Sequence, residues 1–550
     1  MSECRHEDDS YYESIVESDH TDVEAPSDLK GWNEEEEILE CTRECGGDDF
    51  CVFHKDLSVE NREQVREQLL SELKKETSKP FLLAEASLCR LIIEDITVNR
   101  PVWIVGSKFS NRFELDNIEF EDVPIADQST FSDLTDFKNV KFQDKVSLQD
   151  SEFVSESEFH LTEFAEGANF TDTVFKESCL FDRVKSQGSC EFNYTTFSEE
   201  TQFASCRFEK DTNFYGAEFE SEAKIAKARD VEQVDAQVNS ETRFDGDVIF
   251  KEVKFQQNAR INIKFKGDVN MSQADFGSCD LSGVDLSGAN LEDANLSNTI
   301  LYDADLRGCR LMGCDLNDAR LNRNTQFLGN PDSEAIKGYD YSIKSIIDAK
   351  RCYYDPKAEY REDQSEDSDN ELRNKARTVY RELQELGKSA SHSQLQTRCF
   401  VRRKDMEKDR YWEDIWSIES GYTQPLVATA RWLRAKFSRI IMLYGESPWR
   451  VLLWSLITIL GFAVSYITFG LIENSNGVVQ IGILSMFTNP AEYFSTLVGS
   501  VYYSALIFTN LSFGRYSPVG LGTYATAIET TIGLTMLALF FFVLGRRASK

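Results

Sequence analysis

FGSCDLSGVDLSGANLEDANLSNTILYDADLRGCRLMGCDLNDARL, residues 276–321, repeats with a period of five. A large apolar residue, Phe276 and then Leu281 through Leu321, returns at every fifth position. Two places before each stands a small one: Ala274, Cys279, Val284, Ala289, Ala294, Thr299, Ala304, Cys309, Cys314 and Ala319. A fixed period sustained over this length means a stacked array whose units touch only their neighbours. In such a coiled stack the large residue fills the interior and the small one is placed where space is tight. Cys279, Cys309 and Cys314, with Cys206 upstream, take the small-residue place and read as buried packing residues.

Working outward, the pattern loosens towards the N-terminus. Large apolar residues fall at Phe131, Phe137, Phe142, Leu148, Phe153, Phe159, Phe164, Phe170, Phe175 and Phe181, then from Phe192 to Phe219, at alternating spacings of six and five. Two readings fit. One is the same coil widened to about 22 residues per turn by sides of unequal length. The other is an irregular antiparallel sheet. Residues 223–239 lack the pattern and read as an inserted loop, after which Phe244, Phe250 and Phe255 resume it. The run from Ala274 to Leu321 is similar to the pentapeptide-repeat family. That resemblance implies a right-handed quadrilateral β-solenoid, placed here over 101–330 with strict repeats at 274–321. Such a solenoid is a binding surface or a spacer. No nucleophile with its base and no phosphate loop recurs in it, so the chain reads as a non-enzyme.

The 550 residues carry 94 acidic against 60 basic side chains, a net charge of -34. That argues against nucleic acid as a partner, since phosphate binding needs clustered Lys and Arg. A surface this acidic is similar to proteins of salt-loving, haloarchaeal type; an ordinary acidic protein is the other reading. Thirteen cysteines follow an acidic start with no secretory signal, so free thiols in a reducing compartment are expected. Residues 1–38 read as a disordered acidic tail. Residues 39–100 hold a short solvated helix over Arg62–Thr77 and a compact cluster, Cys41, Cys45, Cys51 and His54. Three thiolates and an imidazole can hold zinc; unligated thiols are the alternative, and no other cofactor is implied. Residues 331–371 read as an acidic linker. Residues 372–447 read as a helical connector, with Val379, Leu383 and Leu386 at helical spacing.

Residues 451–472 contain no charge, and residues 523–545 contain one, Glu529. About 20 apolar residues cross a bilayer as a helix. Arg431, Arg434, Lys436, Arg439 and Arg450 precede the first stretch, and Arg546, Arg547 and Lys550 follow the second, whereas only Arg515 lies between. Basic residues stay on the cytoplasmic side. Both termini, and with them the solenoid, are therefore expected in the cytoplasm beneath a cell membrane that the chain crosses twice.

Between the two stretches, Asn489-Pro490-Ala491-Glu492 has the layout of a helix start. An apolar run from Tyr493 to Phe508 follows, with a break expected near Gly499. The chain then runs through Asn510-Leu511-Ser512-Phe513-Gly514-Arg515 to Pro518. Over 448–547 this order, with the loop at 489–518, resembles the pore domain of two-helix potassium channels. The resemblance implies an all-α homotetrameric ion-channel domain passing monovalent cations. It places Gly533 near the hinge of the inner helix and residues 510–515 at the selectivity filter. Against the usual T-V-G-Y-G-D, only Gly514 is retained; Ser512 replaces a glycine and Arg515 an aspartate. Such a filter lines its path with backbone carbonyls, and glycine reaches backbone angles that serine reaches only under strain. Three readings follow: weakly selective cation passage, a non-conducting relic pore on a membrane-anchored interaction scaffold, or strict potassium selectivity. Glu529, an intramembrane carboxylate, is expected to pair with Arg515 or a pore-helix hydroxyl, or to snorkel without a special role. A protein partner for the solenoid is expected but not named by the sequence.

Overall fold

The computed structural model describes residues 32–33, 38–39, 62–75, 81–226, 242–330, 351–358, 368–416, 423–511 and 516–548, less residues 84, 85, 89, 257, 258, 262, 357, 476, 483 and 484. It divides into two compact units, one up to His392 and one from Ser393 onward.

The first unit is a β-solenoid. Its parallel ladders begin with Phe81 beside Val102, ahead of residue 101. Each turn supplies four short strands, for example Thr130–Phe131, Thr135–Lys138, Lys141–Phe142 and Val146–Ser147. Each pairs in parallel with the strand 22 residues on: Thr130 with Glu152, Thr135 with Ser157, Lys141 with Glu163 and Val146 with Ala168. The widened coil is therefore the correct reading, and the antiparallel sheet is not. The step shortens to 21 residues at Val248 beside Val269, and to 20 at Asn270 beside Asn290, Asp275 beside Asn295 and Asp280 beside Ile300.

The corners explain the change of period. Upstream, one residue in eleven adopts the left-handed conformation: Asn139, Asp150, Leu161, Asp172, Arg183, Tyr194 and Ser205. Each lies two places after a large residue, and the next inward place follows at five, held by a large residue except at Ser186. The six-residue corners turn without a left-handed non-glycine residue. In the strict stretch every corner is of the tight kind, with Ser278, Gly283, Gly288, Asp293, Asn298 and Asp303 in turn at positive φ. A tight turn of this kind needs positive φ, which Gly, Asn and Asp tolerate best.

The interior is a set of phenylalanine columns. Phe131, Phe153, Phe175, Phe197 and Phe219 stack in one of them, with successive ring centroids 4.7, 4.7, 5.1 and 4.7 Å apart. The small residue beside each column often carries a hydroxyl or thiol that donates to a carbonyl of the preceding coil. Thr195 Oγ1 reaches Phe170 O at 2.7 Å, Thr173 Oγ1 reaches Leu148 O at 2.8 Å and Cys309 Sγ reaches Leu286 O at 3.0 Å. Cys179, Cys190, Cys206, Cys279, Cys309 and Cys314 of the coil are buried and form no disulfide. Burial pushes the Cys206 and Cys279 thiols up to about 12, so both stay protonated and packed.

Two expectations about this unit need correction. Ala223–Ala226 is a strand of the coil, with Ile225 between Phe203 and Ile261 in the ladder, so the pattern runs on through residue 226; residues 227–239 lie outside the described residues. Aliphatic Ile225 fills the place that Phe holds elsewhere, which hid it. The helix α1, Arg62–Leu73, is not wholly solvated: Leu69 and Leu73 are buried and Arg100 Nη1 donates to Glu72 O at 3.1 Å.

After the coil, the acidic stretch 331–371 contains a packed segment. The Tyr354 hydroxyl bonds to Glu292 of the coil. The Cys352 N–H donates to the Tyr380 hydroxyl at 3.1 Å, which donates to Asp355 Oδ2 at 2.9 Å. Tyr380 belongs to α2, Asp369–Ser389, which starts at a capping box of Ser368 and Glu371 and buries Leu372, Val379, Leu383 and Leu386.

The second unit is helical: α3 Ser393–Trp416, α4 Thr423–Met442, α5 Pro448–Thr468, α6 Ser485–Thr488, α7 Pro490–Phe508 and α8 Gly522–Ala548. Of these, α5 and α8 are long and apolar enough to cross a membrane. α5 ends at Thr468, short of residue 472, because Gly470 turns the chain at φ 61°. Ile472–Asn474 then pairs antiparallel with Gly477–Val479 and with Ser517–Pro518.

Candidate functional site

The segment between α5 and α8 is a wedge. α7 runs down one side of α5, and two serines on one face set the contact: Ser500 Oγ donates to Ala463 O at 2.8 Å and Ser504 Oγ reaches Ile459 O at 2.9 Å. Small hydroxyl residues let helix backbones approach closely in an apolar setting. The expected break near Gly499 does not occur, and α7 is continuous. Gly499 serves a different purpose. A Cβ there would lie 2.3 Å from the Tyr516 hydroxyl, so the bare backbone admits the tyrosine on the returning strand.

The foot of the wedge is fixed by α8. A Cβ on Gly533 would lie 2.0 Å from Phe508 O and 2.8 Å from its carbonyl carbon. Gly533 thus lets the end of α7 touch the α8 backbone, and α8 is continuous through it. At 1.5 Å per residue, Gly533 lies about 16 Å along α8 from its start. There the chain turns. Thr509 N–H bonds to Ala505 O and Leu511 N–H to Leu506 O, at 3.1 and 2.8 Å, and Asn510 takes φ 59°. Thr509, Asn510 and Leu511 are exposed. By Ser517 the chain is back beside Glu473 in the small sheet.

Glu529 holds the three helices together. It is 0% exposed, as are Tyr466 of α5 and Ser504 of α7. Tyr466 donates to Glu529 Oε2 at 2.6 Å, and Ser504 bonds to Oε1. A hydroxyl on α7, one of the two expected partners, is in place, joined by Tyr466 of α5; the other, Arg515, lies outside the described residues. A ring cluster surrounds it, with Tyr503 centroids 5.4 Å from Tyr466 and 5.9 Å from Tyr516.

Of the residues singled out by sequence, the structure brings together Glu529, Gly533, Asn510 and Leu511 at this wedge. Ser512, Phe513, Gly514 and Arg515 lie outside the described residues, as do Cys41, Cys45, Cys51 and His54. Among the described residues, no group of three or more His, Cys, Asp or Glu could hold a metal. Sequence reasoning missed Tyr466, Ser500 and Ser504. The two serines at helical spacing on an apolar helix were the available signal; nothing local marked Tyr466.

Two family models match the chain, described as pentapeptide repeats of 9 copies over residues 170–218 and of 8 copies over residues 279–318. Solved structures similar to part of it include HetL, a pentapeptide repeat protein involved in heterocyst differentiation regulation from the cyanobacterium Nostoc. It is 14% identical, over 50% of this chain and 98% of that one, with a TM-score of 0.21. Rfr23 from the cyanobacterium Cyanothece is 17% identical over 23% of this chain and 90% of its own, with a TM-score of 0.14. QnrB1, a plasmid-mediated fluoroquinolone resistance protein, is 11% identical over 43% of this chain and 94% of its own, with a TM-score of 0.15. No curated protein matches the sequence. Both matched stretches, residues 170–218 and 279–318, are pentapeptide repeats and lie within the β-solenoid described above. A helical C-terminal region follows, with two helices long and apolar enough to cross a membrane.

Proposed function

We propose that the C-terminal unit is an ion pathway built from four copies of this chain, with weakly selective passage of monovalent cations. The solenoid lies in the cytoplasm and docks a protein partner. One observation carries this reading: the turn at Thr509–Leu511 is exposed on a single copy, at the depth of Gly533. Exposed polar residues and non-helical backbone at the middle of a bilayer cannot face lipid, because nothing there satisfies them. A water-filled axis shared by several copies can. Weak selectivity follows from the sequence of the loop, where Ser512 replaces a glycine and Arg515 an acid.

Purified protein in liposomes, assayed for Na⁺, K⁺ and Cl⁻ flux, tests the proposal. Cation flux with little preference between Na⁺ and K⁺ is expected. Replacing Leu511 by Val, Ser512 by Gly, Phe513 by Tyr and Arg515 by Asp together is expected to raise the preference for K⁺. A well-formed tetramer without flux would favour the second reading, a membrane-anchored scaffold with a relic pore, which the altered loop itself recommends. A monomer in its native bilayer would remove both the axis and the pathway.

A further inference from the structure

We infer that α4 lies in the headgroup layer of the membrane and binds anionic lipid there. Leu426, Ala430, Leu433, Phe437 and Ile440 are all exposed, and their spacing places them on one stripe of the helix. The far side of α4 is engaged. Arg439 Nε donates to Asp405 Oδ1 of α3 at 2.5 Å, and Trp432 packs on Trp412 of α3 with centroids 4.9 Å apart. The stripe therefore faces away from the α3 contact. Its flanks are basic: Arg431 and Arg434 on one side, and on the other Lys436, which sits 4.4 Å over the Trp432 ring. Residues 423–442 contain no Asp or Glu, in a chain with 94 of them.

The depth of the stripe follows from α5. Trp454 Nε1 donates to Ile440 O, and Arg450 Nη1 to Arg439 O, each at 3.1 Å. Leu443 and Tyr444, at φ 49° and 57°, make the sharp elbow between α4 and α5. The end of α4 is thus tied to the first two turns of a helix apolar enough to cross a bilayer. A helix with an apolar stripe and basic flanks at that level is stable with the stripe in acyl chains and the cations among phosphates. Each such cation adds to the attraction of an anionic surface. A second copy is a poorer occupant, because α4 offers only cations to a symmetric α4. The inference concerns lipid contact alone and does not depend on conduction.

The test uses the full chain in vesicles of phosphatidylcholine with phosphatidylglycerol. Photoreactive benzoylphenylalanine replaces Leu433 in one variant and Phe437 in another. Irradiation and mass spectrometry are expected to find lipid adducts at both positions, with phosphatidylglycerol at least twofold above its share. The changes Arg431→Gln, Arg434→Gln and Lys436→Gln together are expected to abolish that enrichment while the lipid adducts persist. Adducts to a second copy, or no lipid adduct from inserted protein, would overturn the inference. Lipid adducts without phosphatidylglycerol enrichment would overturn its anionic part.

Discussion

The solenoid and the helical unit solve burial in opposite ways. The solenoid repeats one local solution. Each phenylalanine of a column meets the next coil at the same place, and each corner closes with a residue supplied by its own repeat. The helical unit has no repetition. Three helices meet at two small features, the bare backbone of Gly533 and the carboxylate of Glu529, each touching elements far away in sequence. Charge divides the same way. Of the 60 basic and 94 acidic residues, only 15 and 10 lie from Ser393 onward, so the acidic excess belongs to the first unit. The lesson is that damage should stay local in the repeat and spread in the helical unit.

The strongest test of that contrast is Phe197→Ala. Phe197 is buried in the middle of its column, and its loss is expected to cost about 4 kcal/mol. Hydrogen exchange should quicken in the adjoining coils, around Phe175 and Phe219, while α7 and α8 stay protected. Spread of the effect into α7 and α8 would break the comparison. Gly533→Ala is next, at about 3 kcal/mol, because the methyl must displace backbone on both sides. Exchange should rise together in α5, α7 and α8, and a rise confined to α8 would count against the wedge. Glu529→Gln keeps the shape but weakens charge-assisted hydrogen bonds from Tyr466 and Ser504, a loss of about 2 kcal/mol. Unchanged assembly and unchanged current would show that Glu529 is not a fastener. The smallest effect has the opposite sign. Leu161 is left-handed at φ 51°, where Leu is strained and Asn is not. Leu161→Asn is expected to stabilise the solenoid by about 1 kcal/mol, seen as a higher melting midpoint with no change in the helical unit.

Much of this was legible beforehand, and unevenly. The period of five, the small residue two places earlier and the loosened coil at 22 residues per turn could be read because a solenoid is coded by neighbours in sequence. The left-handed corners were written there as well, in Ser278, Gly283, Gly288, Asp293 and Asn298, once the need for positive φ is known. Ile225 escaped because its side chain broke the phenylalanine rhythm while keeping the register. In the helical unit the two apolar stretches and the helix start at Pro490 were evident, and Glu529 stood out as a lone charge. Its partners did not.

By itself, then, the chain of residues determined the coil, its period, its buried thiols and the presence of two long apolar helices, since each depends on spacing within a few residues. Only the tertiary structure decided that Gly499 admits a tyrosine instead of breaking a helix, that Gly533 seats the end of α7, and that Tyr466 and Ser504 meet Glu529. Those contacts join residues 17 to 63 positions apart on helices whose rotation and depth no local pattern specifies.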